Sequence, residues 1–260
     1  MSDDTAKFLR IIAELDRTLT PGTGEGFWSA RAIFAEMDRA FLNGWSLCRL
    51  KELIEEKEFL VFRDRNAITI NITKCYAISL ALIENPPHSL YLFPQHYMAR
   101  NVGRTTLAVR RYGPDRPIRN EIYDPDVRLE LREEIELHPG ESIERNGYTD
   151  VLDWESPGAT GHVLRLHSEG LGYYEWGFDR RTWAPSGVTM LDGFSSQVAT
   201  AMQMLTTLGV PVDDEFIDGG LASPDFHVRW ETLKMINQLA PQRTRETLDR
   251  LKADPHPAVR

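Results

Sequence analysis

The 260-residue sequence has few cysteines, no long apolar run and no surplus of positive charge. Cys48 and Cys75 are its only cysteines, and two cysteines make neither a disulfide framework nor a thiolate zinc site. No apolar stretch approaches the roughly 18 residues that a membrane span needs, so we expect no membrane association. The formal net charge of −9 excludes nucleic acid as an expected partner, because nucleic-acid binders usually carry a basic surface.

Motifs of several common chemistries are also missing. The sequence contains no glycine-rich phosphate loop, no GxSxG nucleophile turn and no HExxH zinc motif. Its opening, MSDDTAKFLRII, is acidic and lacks the basic flank and apolar stretch of a signal peptide. With 42% hydrophobic and 27% charged residues, the composition is typical of a globular protein, which we expect to be cytoplasmic.

Residues 1–58 show the apolar spacing of helices and form the predicted N-terminal helical segment. The first helix is predicted over residues 3–19, and the residues that carry its apolar face are Phe8, Ile11, Ile12, Leu15 and Leu19. A second helix is predicted over 28–42, ended by Asn43 and Gly44, and a third over 47–56.

Between residues 59 and 192 the apolar period changes to two, which is typical of strands with one face buried. The clearest stretch is VRLELREEIEL at 127–137, in which aliphatic residues alternate with arginine and glutamate. Similar stretches are AITINIT, AISLALI, SLYLF, TTLAVRRY, GHVLRLH and LGYYEWGFD. Short strands with no helices between them predict an antiparallel barrel or sandwich, so the fold class is α+β.

Residues 193–260 return to helical spacing and contain an internal repeat. SPDFHVR at 223–229 and DPHPAVR at 254–260 each combine a capping residue, a proline and Val-Arg in the same register. Ser223 or Asp254 can cap a helix, with proline in the first helical position. The stretch resembles a HEAT-type repeat, which implies a surface that docks a protein partner. A helix pair that only covers its neighbouring domain remains the alternative.

The stretch ELHPGESIERNGYTDVLDWESPGATGHVLRLHSE resembles the second half of a cupin, a small double-stranded β-helix barrel. The resemblance covers about residues 60–180 and includes Pro-Gly-Glu in a turn, followed by a late aliphatic strand. It implies a barrel that holds a small molecule or peptide. Metal-dependent cupins carry His-x-His and a later histidine, but this sequence has no His-x-His, and Thr149-Asp150-Val151 stands where the later histidine often lies.

Five of the seven histidines nevertheless lie between residues 88 and 167. His162 and His167 fall in one predicted strand, and their odd spacing places them on opposite faces, where they cannot hold one ion. The candidate ligands for a transition metal such as iron are His96, His138, Asp150, His162 and His167. The alternative is that each histidine is a hydrogen-bonded strand-end or pocket residue.

Four other residues are candidates for binding a small molecule or peptide. Tyr174 and Trp176 share one strand face and form either a stacking wall or part of the core. Arg110 lies in a basic stretch that meets either solvent or an acidic ligand, and Arg165 lies between the two strand histidines. Two functions therefore remain open, a binding or regulatory protein and a non-haem metal-dependent oxygenase or tailoring enzyme, and no residue is predicted to be catalytic.

Overall fold

The computed structural model shows a mixed α+β protein that divides into two compact units. The structure describes residues 2–20, 24–56, 63–64, 66–84, 89–118, 124–158, 160–172, 174–190, 193–223, 225–254 and 259. Unit 1 comprises Met1–Pro117, Pro125–Gly172 and Trp176–Ser186, and unit 2 comprises Ile118–Asp124, Tyr173–Glu175 and Gly187–Arg260. Within the described ranges, each helix is too short or too polar to span a bilayer.

Unit 1 begins with helices. They are α1 (Asp3–Thr18), a 3-10 helix (Gly24–Ala30), α2 (Arg31–Ala35) and α3 (Arg39–Glu56). The predicted helix over 28–42 is not one helix: its residues lie in the 3-10 helix, α2 and the start of α3, with a break at 36–38, and α3 continues through Asn43. Gly44 does not end a helix but lies where α3 crosses α1: a Cβ atom at this position would lie 2.1 Å from the carbonyl oxygen of Asp4.

Antiparallel strands follow, as predicted. They are β1 (Arg63–Asp64), β2 (Ala67–Ile72), β3 (Tyr76–Ile83), β4 (Ser89–Leu92), β5 (Tyr97–Asn101), β6 (Leu107–Pro114), β7 (Leu129–Leu137), β8 (Ser142–Arg145), β9 (Val151–Glu155), β10 (Gly161–Ser168), β11 (Tyr174–Asp179) and β12 (Pro185–Met190). The sheet orders are β1-β2-β3-β10-β5-β8, β12-β11-β4 and β7-β6-β9. Among the described residues this pairing gives three sheets and does not join them into one closed barrel.

Strands β5 and β10 of the six-stranded sheet carry buried residues on both faces. On β10, Leu164 and Leu166 pack with the helical residues into one core cluster, while Val163 belongs to a second cluster with Leu152 and Trp154. Alternate residues of a strand point to opposite faces, so one face of β10 covers the helices and the other faces the interior between the sheets. This second, inward face positions the candidate site.

Unit 2 is helical at its C-terminal end. Its helices are α4 (Gly193–Leu208), α5 (Asp214–Leu221), α6 (Phe226–Leu239), a 3-10 helix (Pro241–Arg243) and α7 (Thr244–Leu251). The cap of α6 is Asp225, whose side chain accepts from the backbone N–H of His227, and not Ser223 as the repeat predicted. Most of the second copy, residues 255–258 and 260, lies outside the described residues, so the HEAT-like repeat stays a prediction.

Candidate functional site

Strand register brings four residues together on the inward face of the six-stranded sheet. His167 on β10 lies opposite Tyr97 on β5, and Tyr97 in turn lies opposite Arg145 on β8. Arg165 shares the face of His167 and lies opposite Ser79 on one side and Ala99 on the other. The small side chains of these two neighbours leave space for the long guanidinium group.

The four side chains line a cavity of about 390 Å³ within unit 1. Its apolar wall includes Ala81, Ile83, Leu90, Phe93, Leu152 and Trp154, and the polar residues Asn66, Glu84 and Ser89 also contribute. The lining is about half apolar and half polar, and convergent polar groups beside an apolar wall can orient a small molecule in a volume that suits a ligand of metabolite size.

The two arginines of the cavity are held differently. Arg145 is 3% exposed, and its Nη2 atom donates to the carbonyl oxygens of Gln95 at 2.7 Å and Phe93 at 3.4 Å. The guanidinium carbon of Arg165 lies 5.9 Å from the ring centre of Tyr97 and 5.8 Å from that of Trp154.

Arg165 makes no side-chain hydrogen bond or ion pair with any residue that the structure describes, and its Nε atom is buried without a partner. Burial lowers the pKa of Arg165, because the charged form loses hydration. Arg165 as a residue is partly exposed, but a buried Nε atom without an acceptor is costly, and the side chain makes no hydrogen bond to a described residue, so Arg165 needs an explanation.

His167 is a neutral neighbour of the two arginines. Its Nε2 atom lies 3.3 Å from the hydroxyl oxygen of Ser79, and its ring centre lies 5.5 Å from that of Tyr97. Burial, followed by repulsion from Arg165 and Arg145, lowers the pKa of His167 to about 3. At neutral pH the imidazole therefore offers one hydrogen-bond donor and one acceptor but no charge.

The other three residues predicted to bind a ligand lie elsewhere. Arg110 pairs with the carboxylates of Glu134 at 3.1 Å and Glu155 at 3.4 Å, on the partly exposed side of β6. Trp176 is fully buried core, with its ring centre 6.2 Å from that of Phe178.

Tyr174 belongs to unit 2, where its hydroxyl group donates to Asp225 Oδ1 at 3.2 Å. Its ring packs beside the rings of Phe226 and His227. Of the four predicted ligand-binding residues, the cavity therefore contains only Arg165.

The predicted metal ligands are dispersed. His96 Nδ1 accepts from the backbone N–H of Gly147 at 3.1 Å, and His138 Nδ1 lies 3.1 Å from Thr106 Oγ1.

Asp150 pairs with Arg111 at 3.1 Å, and His162 is exposed on the face of β10 opposite to that of His167. Among the described residues, no three histidine, cysteine or acidic side chains are placed to hold a metal ion, and His88 lies outside those residues.

The donor set of the cavity does not fit a metal such as iron. Two guanidinium groups, Arg145 and Arg165, face this space and would repel a cation. His167 is the one predicted metal ligand that lines it, and a site needs at least three ligands from the protein.

Sequence reasoning did not find Tyr97, Arg145 or Trp154. Tyr97 begins the stretch YMARN, which forms β5 although it carries no clear alternation of apolar and polar residues. Arg145 ends the four-residue strand β8 directly after a turn, where an arginine is usually exposed. These residues come together through pairing between strands, and a single sequence does not show which strands pair.

Comparison with known proteins does not assign the chain to a family. No protein-family model matches the chain, and no curated protein matches it. Among solved structures, one that is similar is a hydroquinone 1,2-dioxygenase in complex with Cd²⁺ and 4-hydroxybenzonitrile, with 12% sequence identity and a TM-score of 0.31. The alignment covers 39% of this chain and 63% of the dioxygenase chain, which is less than two thirds of its length.

Two further structures are similar at the same level. One is a hydroquinone 1,2-dioxygenase from Sphingomonas sp. TTNP3 with 4-hydroxybenzoate bound, at 13% identity and a TM-score of 0.32; the alignment covers 42% of this chain and 68% of the dioxygenase chain. The other is an RmlC-like cupin protein from Ralstonia eutropha JMP134, at 11% identity and a TM-score of 0.28; the alignment covers 60% of this chain and 85% of the cupin chain. TM-scores this low do not establish a shared fold, so the site described above rests on its own geometry.

Proposed function

We propose that unit 1 is a cupin-like domain that binds a small organic molecule in the cavity between its sheets. The observation that carries this proposal is the convergence of Tyr97, Arg145, Arg165 and His167 from three neighbouring strands onto one cavity of about 390 Å³. Rigid sheet positions orient polar groups accurately, and apolar walls supply the burial that favours binding.

The alternative of a metal-dependent oxygenase has less support. A non-haem iron site needs a set of histidine and carboxylate ligands around open positions. The described residues bring no such set together, and the cavity presents positive charge where a cation would bind. We therefore assign no metal-dependent step to this cavity and favour the binding role.

Docking of a protein partner through α4–α7 is the second part of the proposed role. Its support is the repeated Val-Arg motif and the helical character of this region of unit 2. A peptide ligand and a cytoplasmic location likewise remain expectations from the sequence.

A cavity-filling variant tests the binding role. Ala81→Leu adds three carbon atoms to a cavity wall residue, whereas His162→Leu adds an apolar side chain at an exposed position of the neighbouring strand. In a thermal-shift screen of metabolites, we expect ligands to stabilise the wild type and His162→Leu but not Ala81→Leu. Equal stabilisation of all three proteins would place binding outside the cavity and refute the proposal.

A further inference from the structure

We infer that the ligand of this cavity is a carboxylate on an apolar body, with its anionic end bound to Arg165. This inference rests on the proposed function and names its ligand class. It starts from the unsatisfied Nε atom of Arg165, because nearly all buried polar groups in proteins have a hydrogen-bond partner. A ligand that supplies an acceptor here satisfies a group that the described part of the chain leaves unsatisfied.

The charge balance of the cavity favours an anion over a neutral acceptor. Arg145 and Arg165 both lie against the ring of Tyr97, so two positive charges border the same space. Of the two acidic residues in the lining, Asp153 pairs with Arg180 through Oδ2 while its Oδ1 atom is buried without a partner, and Glu84 is exposed; neither pairs with Arg165. A ligand with one negative charge would offset the repulsion between the two guanidinium groups.

The shape of the donors favours a carboxylate over a phosphate. A guanidinium group matches a planar carboxylate with two parallel hydrogen bonds. Phosphate sites usually add backbone N–H groups from a glycine-rich loop or a helix start, whereas the N–H groups around Arg165 and His167 are engaged in sheet pairing with β3 and β5. The described cavity lining also contains no lysine.

The rest of the lining describes the body of the ligand. Ring faces of Tyr97 and Trp154 flank Arg165, and aliphatic side chains from β3 and β4 complete the wall. Such a wall buries an aromatic or aliphatic body, while His167 can hydrogen-bond one neutral polar group on it. We therefore expect a hydrophobic carboxylic acid that is small enough for about 390 Å³.

Matched acids and amides test this inference by isothermal titration calorimetry on the full chain. The probes are phenylacetate, hexanoate, their two amides and phenyl phosphate, titrated into the wild type, Arg165→Met, Arg165→Lys and the exposed-arginine control Arg132→Met. We expect the acids to bind at least tenfold more tightly than their amides. We expect Arg165→Met to weaken the binding of the acids about 10- to 100-fold, Arg165→Lys to weaken it less, and Arg132→Met to leave it unchanged.

Each outcome decides one of the two proposals. Equal affinity for acid and amide, unchanged in Arg165→Met, overturns the carboxylate inference but leaves small-molecule binding intact. Phenyl phosphate that binds more tightly than either acid, and loses its affinity in Arg165→Met, also overturns the carboxylate assignment. If acids bind Arg165→Met as tightly as the wild type, Arg165 is not the anion site. If neither acids nor amides bind and the metabolite screen finds no cavity ligand, both proposals fail.

Discussion

Unit 1 and unit 2 each contain an arginine whose Nε atom is buried, Arg165 and Arg229, and the two have opposite environments, although Arg165 as a residue is partly exposed and Arg229 is buried. In unit 2, Arg229 makes two hydrogen bonds to Asp254, from Nε to Oδ2 at 2.7 Å and from Nη2 to Oδ1 at 2.8 Å, and a third to the carbonyl oxygen of Ser223 at 2.8 Å. In unit 1, Arg165 has no hydrogen-bond or ion-pair partner among the described residues and faces a cavity.

We interpret this difference as that between a charge that stabilises the fold, on Arg229, and a charge that binds a ligand, on Arg165. The guanidinium of Arg229 is matched by a planar carboxylate in the geometry that arginine prefers, so the protein itself completes its environment. Under our proposal, a molecule that enters the cavity completes the environment of Arg165. Burial alone thus does not identify a site, and our assignment rests on the missing acceptor together with the adjoining cavity.

The largest expected effect comes from breaking the paired arginine. Arg229→Met leaves the buried carboxylate of Asp254 without its counter-ion and should lower the free energy of unfolding of unit 2 by about 3–5 kcal/mol. Urea denaturation followed by circular dichroism measures it, with Arg250→Met, an exposed ion pair, as the control. A loss no larger than that of the control would show that the pair is not structural.

The next effect is a pH dependence that belongs to the cavity. Because the pKa of His167 falls from 6.5 to about 3 on folding, the unfolded chain binds the proton more tightly. The contribution of His167 is therefore complete above about pH 6.5 and is lost as pH falls towards 3, which costs about 2 kcal/mol between pH 7 and pH 5. Urea unfolding at both pH values should show that His167→Gln is less sensitive to acid than the wild type. If His167→Gln matches the wild type while the exposed control His162→Gln differs, the interpretation is wrong.

A smaller effect of opposite sign is expected for the unpaired arginine. Arg165→Met replaces a partly buried charge that has no counter-ion among the described residues by a shorter apolar side chain that ends near the position of Nε, and should raise the free energy of unfolding by about 1–2 kcal/mol when no ligand is added. Chemical denaturation of the two proteins measures the difference. A destabilised variant would mean that Arg165 supports the fold, as Arg229 does.

The smallest effect is expected for a partly exposed, paired arginine. Arg110→Met removes ion pairs whose partners are partly exposed, and should cost only about 0.2–1 kcal/mol. It should also leave the affinity for carboxylates unchanged, because Arg110 does not line the cavity. Thermal unfolding measures the change in stability, and calorimetry measures the affinity for carboxylates. A loss of affinity would show that Arg110 contributes to ligand binding.

Local pattern was enough to predict much of the fold and one part of the site. The alternation in VRLELREEIEL and GHVLRLH marks β7 and β10, and the odd spacing of His162 and His167 predicts their separate environments. The antiparallel α+β class is confirmed by the strand pairing.

Long-range contacts explain what the sequence did not reveal. Asn43-Gly44 has the pattern of a helix end, yet Gly44 lies within α3, where the absence of a Cβ atom lets the backbone of α1 approach closely. In the same way, Arg145 on β8 and Arg165 on β10 come near each other because both strands pair with β5, which carries Tyr97. These strands are far apart in the sequence. Register across strands is a tertiary property, and a single sequence does not encode it in any local pattern.

The most direct test of the central claim is the NMR signal of the Arg165 Nε–Hε group, assigned by its disappearance in Arg165→Met. On titration with phenylacetate, we predict that this signal shifts downfield as the proton gains a carboxylate acceptor, and that phenylacetamide leaves it in place. A signal that does not move while the indole signal of Trp154 responds to phenylacetate would contradict the claim, because the ligand would then occupy the cavity without binding Arg165.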